Sequence, residues 1–138
     1  MVMKMREYSA LSIVSPAVDN ILLGCKSVEI RSWLPPELPI YDLLLVQNNN
    51  YLNDGDSDPD GVALALVDIF TVYDWTYNDY LHRSNEVTLG RKWKKGYYIW
   101  ELENIRKIEN KPKAVAQKGI YTINVPELIL CKSQRLSF

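Results

Sequence analysis

An ammonium, a carboxylate, a guanidinium and an indole stand close together in the stretch Gly24-Cys25-Lys26-Ser27-Val28-Glu29-Ile30-Arg31-Ser32-Trp33. Val28 and Ile30 alternate with Glu29, Arg31 and Trp33, the period of two of a half-buried strand. That period predicts Glu29, Arg31 and Trp33 on one strand face, with Lys26 in the connection just before it. Such a set serves a polar, planar ligand: cations for phosphate or carbonyl oxygens, a carboxylate for an amine, an indole for stacking. The same residue types also make ordinary surface ion-pair clusters, which contribute little.

The elements around this stretch can be read from pattern. Residues 8–14 alternate apolar positions and read as a first strand. Ser15-Pro16 reads as an N-cap with proline at the first helical position, where its missing N–H costs nothing. The helix over 16–23 would bury Ala17, Val18, Ile21 and Leu22, and Gly24 would close it in the left-handed conformation. Pro35, Pro36 and Pro39 enforce an extended connection. Residues 40–47 form a nearly continuous apolar run, as in a central strand covered on both faces. A polar loop over 48–60 follows, then a second such run over 62–70, where small Ala63 and Ala65 imply close packing. Residues 71–90 carry aromatics at 73, 77 and 80 that suit either a short helix or an irregular loop. Residues 97–102 alternate again, with Tyr98, Trp100 and Leu102 on one face and Tyr97, Ile99 and Glu101 on the other. Residues 119–125 are the last clear strand, and the C-terminal residues add at most an edge strand. About six strands with one or two short helices make a small barrel or sheet of the α+β class.

Composition narrows the function classes. A chain of 138 residues, 47% hydrophobic and 24% charged, fits one ordinary globular domain. No apolar run approaches the length of a membrane span, and Met-Val-Met-Lys-Met-Arg lacks the apolar core of a signal peptide. Cys25 and Cys131 stand far apart, without the pairing of a zinc site or a disulfide framework, which points to a reducing, cytoplasmic setting. The net charge of −1 hides an asymmetry: residues 91–118 hold nine bases and three acids, so they carry +6 and the remainder −7. Within them, Arg91-Lys92-Trp93-Lys94-Lys95 interleaves charge with an indole, as a phosphate-contacting loop does. A solvated loop with Trp93 as a lid over the core is the alternative.

Other motifs carry less. Asp56-Ser57-Asp58-Pro59-Asp60-Gly61 opens like a calcium loop, but its twelfth position is Val67 rather than the bidentate acid, so no metal is expected. Cys25 beside Lys26 has no identifiable base, His82 being the single histidine. Gly24-x-Lys26-Ser27 lacks the upstream glycine of a phosphate loop, and its helix precedes rather than follows. No cofactor is called for by any of these. Trp33, Tyr97, Tyr98 and Trp100 have the chemistry of base-stacking platforms, although alternation makes at least one of Tyr98 and Trp100 a core residue.

Ala10-Leu11-Ser12-Ile13, the Pro16 helix and Gly24-x-Lys26-x-x-Glu29-x-Arg31 together resemble the opening of the ASCH domain, whose hallmark is a G-x-K-x-x-E-x-R stretch after the first helix. The resemblance continues through Gly61 and residues 62–68, and resumes at 98–102 and 118–123. It implies a PUA-like β-barrel with a cleft beside the G-x-K-x-x-E-x-R element, and an association with RNA or with RNA-processing and translation machinery. Some small bacterial members look like amidohydrolases acting on acetylated cytidine through a lysine, a threonine nucleophile and a glutamate. Lys26 falls on that lysine, but the nucleophile position falls on Glu29, which has no hydroxyl. Ser27 is two residues away, and Glu86 is a loose candidate for the third group. Two expectations result. In the first, single-stranded or structured RNA, or a nucleoside, is bound by Lys26, Arg31, Trp33 and Tyr98, with Arg91, Lys92, Lys94 and Lys95 along the backbone. In the second, Lys26 and Glu29 form the acid–base pair of a hydrolase acting on RNA or a modified nucleoside.

Overall fold

The apolar run over 40–47 becomes the middle of the main sheet. The computed structural model describes residues 4–83 and 91–132. In chain order these form β1 (Met5–Val14), α1 (Ala17–Leu22), β2 (Val28–Arg31), β3 (Ile40–Asn48), β4 (Ser57–Asp58) and β5 (Val62–Ile69). They continue with β6 (Val72–Asp74), α2 (Tyr77–His82), β7 (Tyr98–Glu101), β8 (Glu103–Lys107), β9 (Ala116–Gln117) and β10 (Ile120–Pro126). The fold is α+β, mostly strands with two short helices among the described residues.

Five strands make one sheet in the order β10-β1-β3-β5-β8; β2, β7 and β6 make a second with β7 in the middle; β4 and β9 pair alone. In the main sheet β3 runs parallel to β1 and antiparallel to β5. Both faces of β3 are covered, as its nearly continuous apolar run requires. Leu43 and Leu45 join a core with α1 (Ala17, Val18, Ile21), Trp100 and Leu102. Leu44 and Val46 join a second core with Tyr8, Ala10, Ala63, Ile108, Ala114 and Val125 on the opposite face. A third cluster, Val28, Ile30, Trp75 and Ile99, fills the inner face of the β2-β7-β6 sheet.

Among the described residues the ladders form three sheets and no closed barrel is detected. The chain passes between the two larger sheets from β5 to β6 and again at Leu102, from β7 to β8. Two expectations change. The strand count is ten rather than about six among the described residues, because β4, β6, β8 and β9 are too short or too polar to show a period. The helix cap also differs. Pro16, not Ser15, sits at the N-cap without a side-chain bond of its own. The first N–H groups, of Val18 and Asp19, donate to Gln47 Oε1 at 2.9 and 3.2 Å. Gly24 does take the left-handed conformation, at φ 82°. Within the ambiguous 71–90 stretch, Thr76 caps α2 by accepting from Asp79 N at 3.1 Å, and Tyr80 packs on the third cluster.

The close packing foreseen at Ala63 has a definite cause. Ala63 N donates to Pro112 O and Ala114 N to Gly61 O, both at 2.9 Å, so the 112–114 backbone lies directly on the start of β5. A Cβ built on Gly61 would stand 2.3 Å from Ala114 O and 2.8 Å from Val46 Cγ1. Gly61→Ala is therefore expected to cost about 1–3 kcal/mol of unfolding free energy through overpacking. A urea midpoint equal to that of the unchanged protein would show that this approach is not tight.

Candidate functional site

Alternation along β2 does what the sequence period required. Val28 and Ile30 turn into the third core cluster, and Glu29 and Arg31 turn away from it. β2 is held in register by β7, with Glu29 opposite Trp100 and Arg31 opposite Tyr98. On that other face lies a cleft of about 360 Å³ lined by Glu29, Arg31, Trp33 and Arg91 together with Ser12, Asn48, Asn50, Tyr51, Gln117 and Lys118. Trp33 is braced edge-on against the buried Trp100, ring centroids 4.9 Å apart.

Glu29 and Arg31 are neighbours without being a saturated pair. Glu29 Oε1 accepts from Ile30 N at 3.1 Å and lies 3.8 Å from Arg31 Nε, an ion-pair contact too long for a hydrogen bond. Arg31 donates through a terminal nitrogen to Ser12 O at 2.9 Å. Glu29 is only 6% exposed, and its Oε2, like Arg31 Nε, is buried without a hydrogen-bond partner among the described residues. Leaving such a group unsatisfied costs about 1–3 kcal/mol or more when charged. Arg91 reaches across from the other side, donating to Ile30 O at 3.4 Å with its guanidinium over the Tyr97 ring.

Lys26 lies behind this wall rather than in it: it is 2% exposed and does not line the cleft. Burial holds its pKa below the ordinary 10.5; the Glu29 charge opposes that shift, and Arg31, Arg91 and Arg83 add to it. Lys92, Lys94 and Lys95 are exposed and outside the cleft lining, while Trp93 takes the lid role, its indole donating to Trp75 O at 2.9 Å. Tyr98 packs on the first core cluster, and Trp100 is fully buried. Of the sequence-selected residues, the fold thus gathers Glu29, Arg31, Trp33 and Arg91 at the cleft. Glu86 lies outside the described residues.

The other side of the cleft was not foreseen. Its polar groups come from Ser12 of β1, from Asn48 at the end of β3 and the loop after it, and from β9 and the residue that follows it. Ser12 Oγ accepts from Gln117 N at 3.2 Å and contacts Tyr121 Oη at 2.9 Å, while Tyr121 donates to Val115 O. The Ser12 hydroxyl therefore donates to tyrosine and faces no base. Asp58, inside the calcium-like hexapeptide, is 6% exposed. It accepts from Asp60 N at 2.9 Å, and its other oxygen accepts from the side-chain amides of Asn50 at 3.2 Å and Asn48 at 3.5 Å. The Asp60 N–H first, against the opposing effect of burial, and then the two amides hold its carboxyl below the ordinary carboxylate range. No group of three or more His, Cys, Asp or Glu side chains is arranged to hold a metal ion among the described residues. The Cys25 thiol is exposed and away from the cleft lining. The one signal that could have found this side was the run Asn48-Asn49-Asn50-Tyr51, polar amides ending in an aromatic.

Fold and site together define a small α+β domain that presents a cation-flanked, aromatic-edged cleft. The chain matches the ASCH domain over residues 11–112 and belongs to that family, a PUA-like family generally tied to RNA binding. No curated protein matches it. No helix among the described residues is long and apolar enough to cross a membrane.

The Lys26 environment makes a pH prediction. A lysine whose folded pKa lies below its unfolded value binds fewer protons when folded, so stability rises with pH between the two values. The window extends downward in pH from about 10.5. In Lys26→Met that rise is expected to be absent, so the stability of the unchanged protein minus that of the variant, measured by urea titration from neutral to alkaline pH, should grow with pH. Parallel curves would mean that the ammonium is not desolvated.

Proposed function

We propose that the protein is an RNA- or nucleobase-binding module that uses the cleft beside its G-x-K-x-x-E-x-R element. The observation that carries this reading is the unpartnered Glu29 Oε2, buried at a cleft whose flanks are the guanidiniums of Arg31 and Arg91. A buried carboxylate oxygen of this kind suits a ligand with an N–H donor, and the guanidiniums suit phosphate or carbonyl oxygens. Trp33 and Tyr51 offer ring surface for stacking, Tyr51 being 80% exposed. Single-stranded RNA fits such a cleft because its unstacked bases expose their edges. Lys92, Lys94 and Lys95, exposed next to Arg91, would extend contact along the backbone. The direct passages between the two larger sheets at β5–β6 and at Leu102 accord with a PUA-like barrel.

A hydrolase reading has one observation in its favour. Burial lowers the pKa of Lys26 within the electrostatic reach of Glu29, the direction in which an amine becomes available for proton transfer. Water activated by Glu29 would then stand in for the missing threonine, on RNA or a modified nucleoside.

Fluorescence anisotropy with short single-stranded RNA, structured RNA and duplex DNA at two salt concentrations tests the binding reading. Tighter binding to RNA is expected, weakening as salt rises, with the RNA recovered intact. Arg31→Ala or Arg91→Ala should each reduce the log–log salt slope by about 0.7 if that side chain meets a phosphate. Altered RNA or nucleoside, lost in Glu29→Gln, would favour the hydrolase instead. Absence of binding at low salt would exclude the RNA ligand.

A further inference from the structure

Two independent features fix the hydrogen-bonding character of the cleft. On the β2 side, Glu29 Oε2 is an acceptor without a donor among the described residues. On the loop side, the ionised Asp58 only accepts, so the amides of Asn48 and Asn50 must turn their nitrogens toward it. Asn48 directs the same nitrogen to Asn50 O as well. Asp58 is not among the cleft-lining residues, whereas Asn48 and Asn50 are. Both hydrogens of the Asn48 amide are thus committed, and one of those on Asn50; what this side has left is the two carbonyl oxygens as acceptors, beside one N–H of Asn50.

We propose that Asp58 is a positioning residue, and that the acceptor wall it sets with Glu29 selects guanine among the bases. This rests on the reading of the cleft as a nucleobase site. Guanine alone of the four RNA bases places two donors side by side, N1–H and the N2 amine. Adenine and cytosine set a ring acceptor beside their amine, which would face acceptor against acceptor. Uracil has one N–H between two carbonyls. The opposite edge of guanine, O6 and N7, is the usual partner of an arginine fork, and Arg31 and Arg91 line the same cleft. Trp33 and Tyr51 leave the base identity open, because every base has a face to stack.

The test uses labelled single-stranded RNA nonamers of uridine with one central guanosine, inosine, adenosine, cytidine or uridine, titrated by fluorescence anisotropy. The guanosine oligomer is expected to bind roughly tenfold tighter than the all-uridine one. Inosine, which keeps N1–H and lacks the N2 amine, should lose most of that advantage. In Asp58→Asn the new carbonyl can keep the Asp60 N–H, while the new amide is a donor that lets Asn48 and Asn50 reverse. The ratio of guanosine to uridine affinity should then fall to one or below. A merely structural role would weaken both oligomers in parallel and leave the ratio unmoved, which would overturn the assignment. If Asp58→Asn does not fold, Asn50→Ala decides, since Asn50 is exposed: a retained ratio overturns the proposal and a lost one supports it. Equal binding of all five oligomers would remove the guanine selection while leaving RNA binding in place. No binding of any would remove both.

Discussion

The parallel pairing of β1 with β3 governs the arrangement of the whole molecule. Every other ladder in the main sheet is antiparallel. Two parallel neighbours cannot be joined by a tight turn, so the chain must leave the end of β1 and travel back to the start of β3. That excursion is α1, β2 and the proline segment 35–39, and it contains Lys26, Glu29 and Arg31. The apolar side of α1 covers one sheet face, and Gln47 near the end of β3 binds the first turn of the helix and Asp19. The site-bearing strand lies on that required excursion and pairs with β7 in the second sheet.

Buried charges in this protein meet two different fates. Asp68, 7% exposed, faces burial that would raise its pKa, yet the Asp42 N–H, the Asn104 amide and the Arg106 guanidinium outweigh it and bring the pKa down. Both its oxygens are partnered, at 2.7 to 3.0 Å. This is a closed structural network at a β5 irregularity. Glu29, equally buried, has one oxygen without a donor and a guanidinium that stands off at 3.8 Å. Identical side-chain chemistry in a completed and an incomplete shell separates a fold-holding carboxylate from a ligand-facing one more sharply than burial alone.

Much of the fold was legible because period and punctuation agreed. The continuous run of β3, the alternation in β2 and β7, and Gly24 at the helix end each had one physical reading that tertiary structure reinforced. The half of the site on β2 was legible for the same reason. The other half was not, since Asn48 is the polar last residue of β3, Asn50 lies in a loop and Gln117 in a two-residue strand whose position depends on long-range pairing. The basic run over 91–95 illustrates the limit: sequence grouped its four cations, whereas the fold sends only Arg91 to the cleft and turns Trp93 inward. Lys26 shows the converse. Its spacing placed it beside the strand, and only packing shows it to be buried behind the wall.

The short β4–β9 ladder has a mechanical meaning. Ser57 pairs with Gln117 and Asp58 with Ala116, so the loop bearing Asn48, Asn50 and Tyr51 is stitched by main chain to the segment bearing Gln117 and Lys118. Gly61, where a side chain has no room, brings the 112–114 backbone against the same region. These two jaws are spaced by peptide geometry, which is stiff, rather than by side chains, which rotate. A ligand entering from this side meets a gauge of set width, so little ordering remains to be done on binding and little accommodation is on offer to a ligand of the wrong thickness.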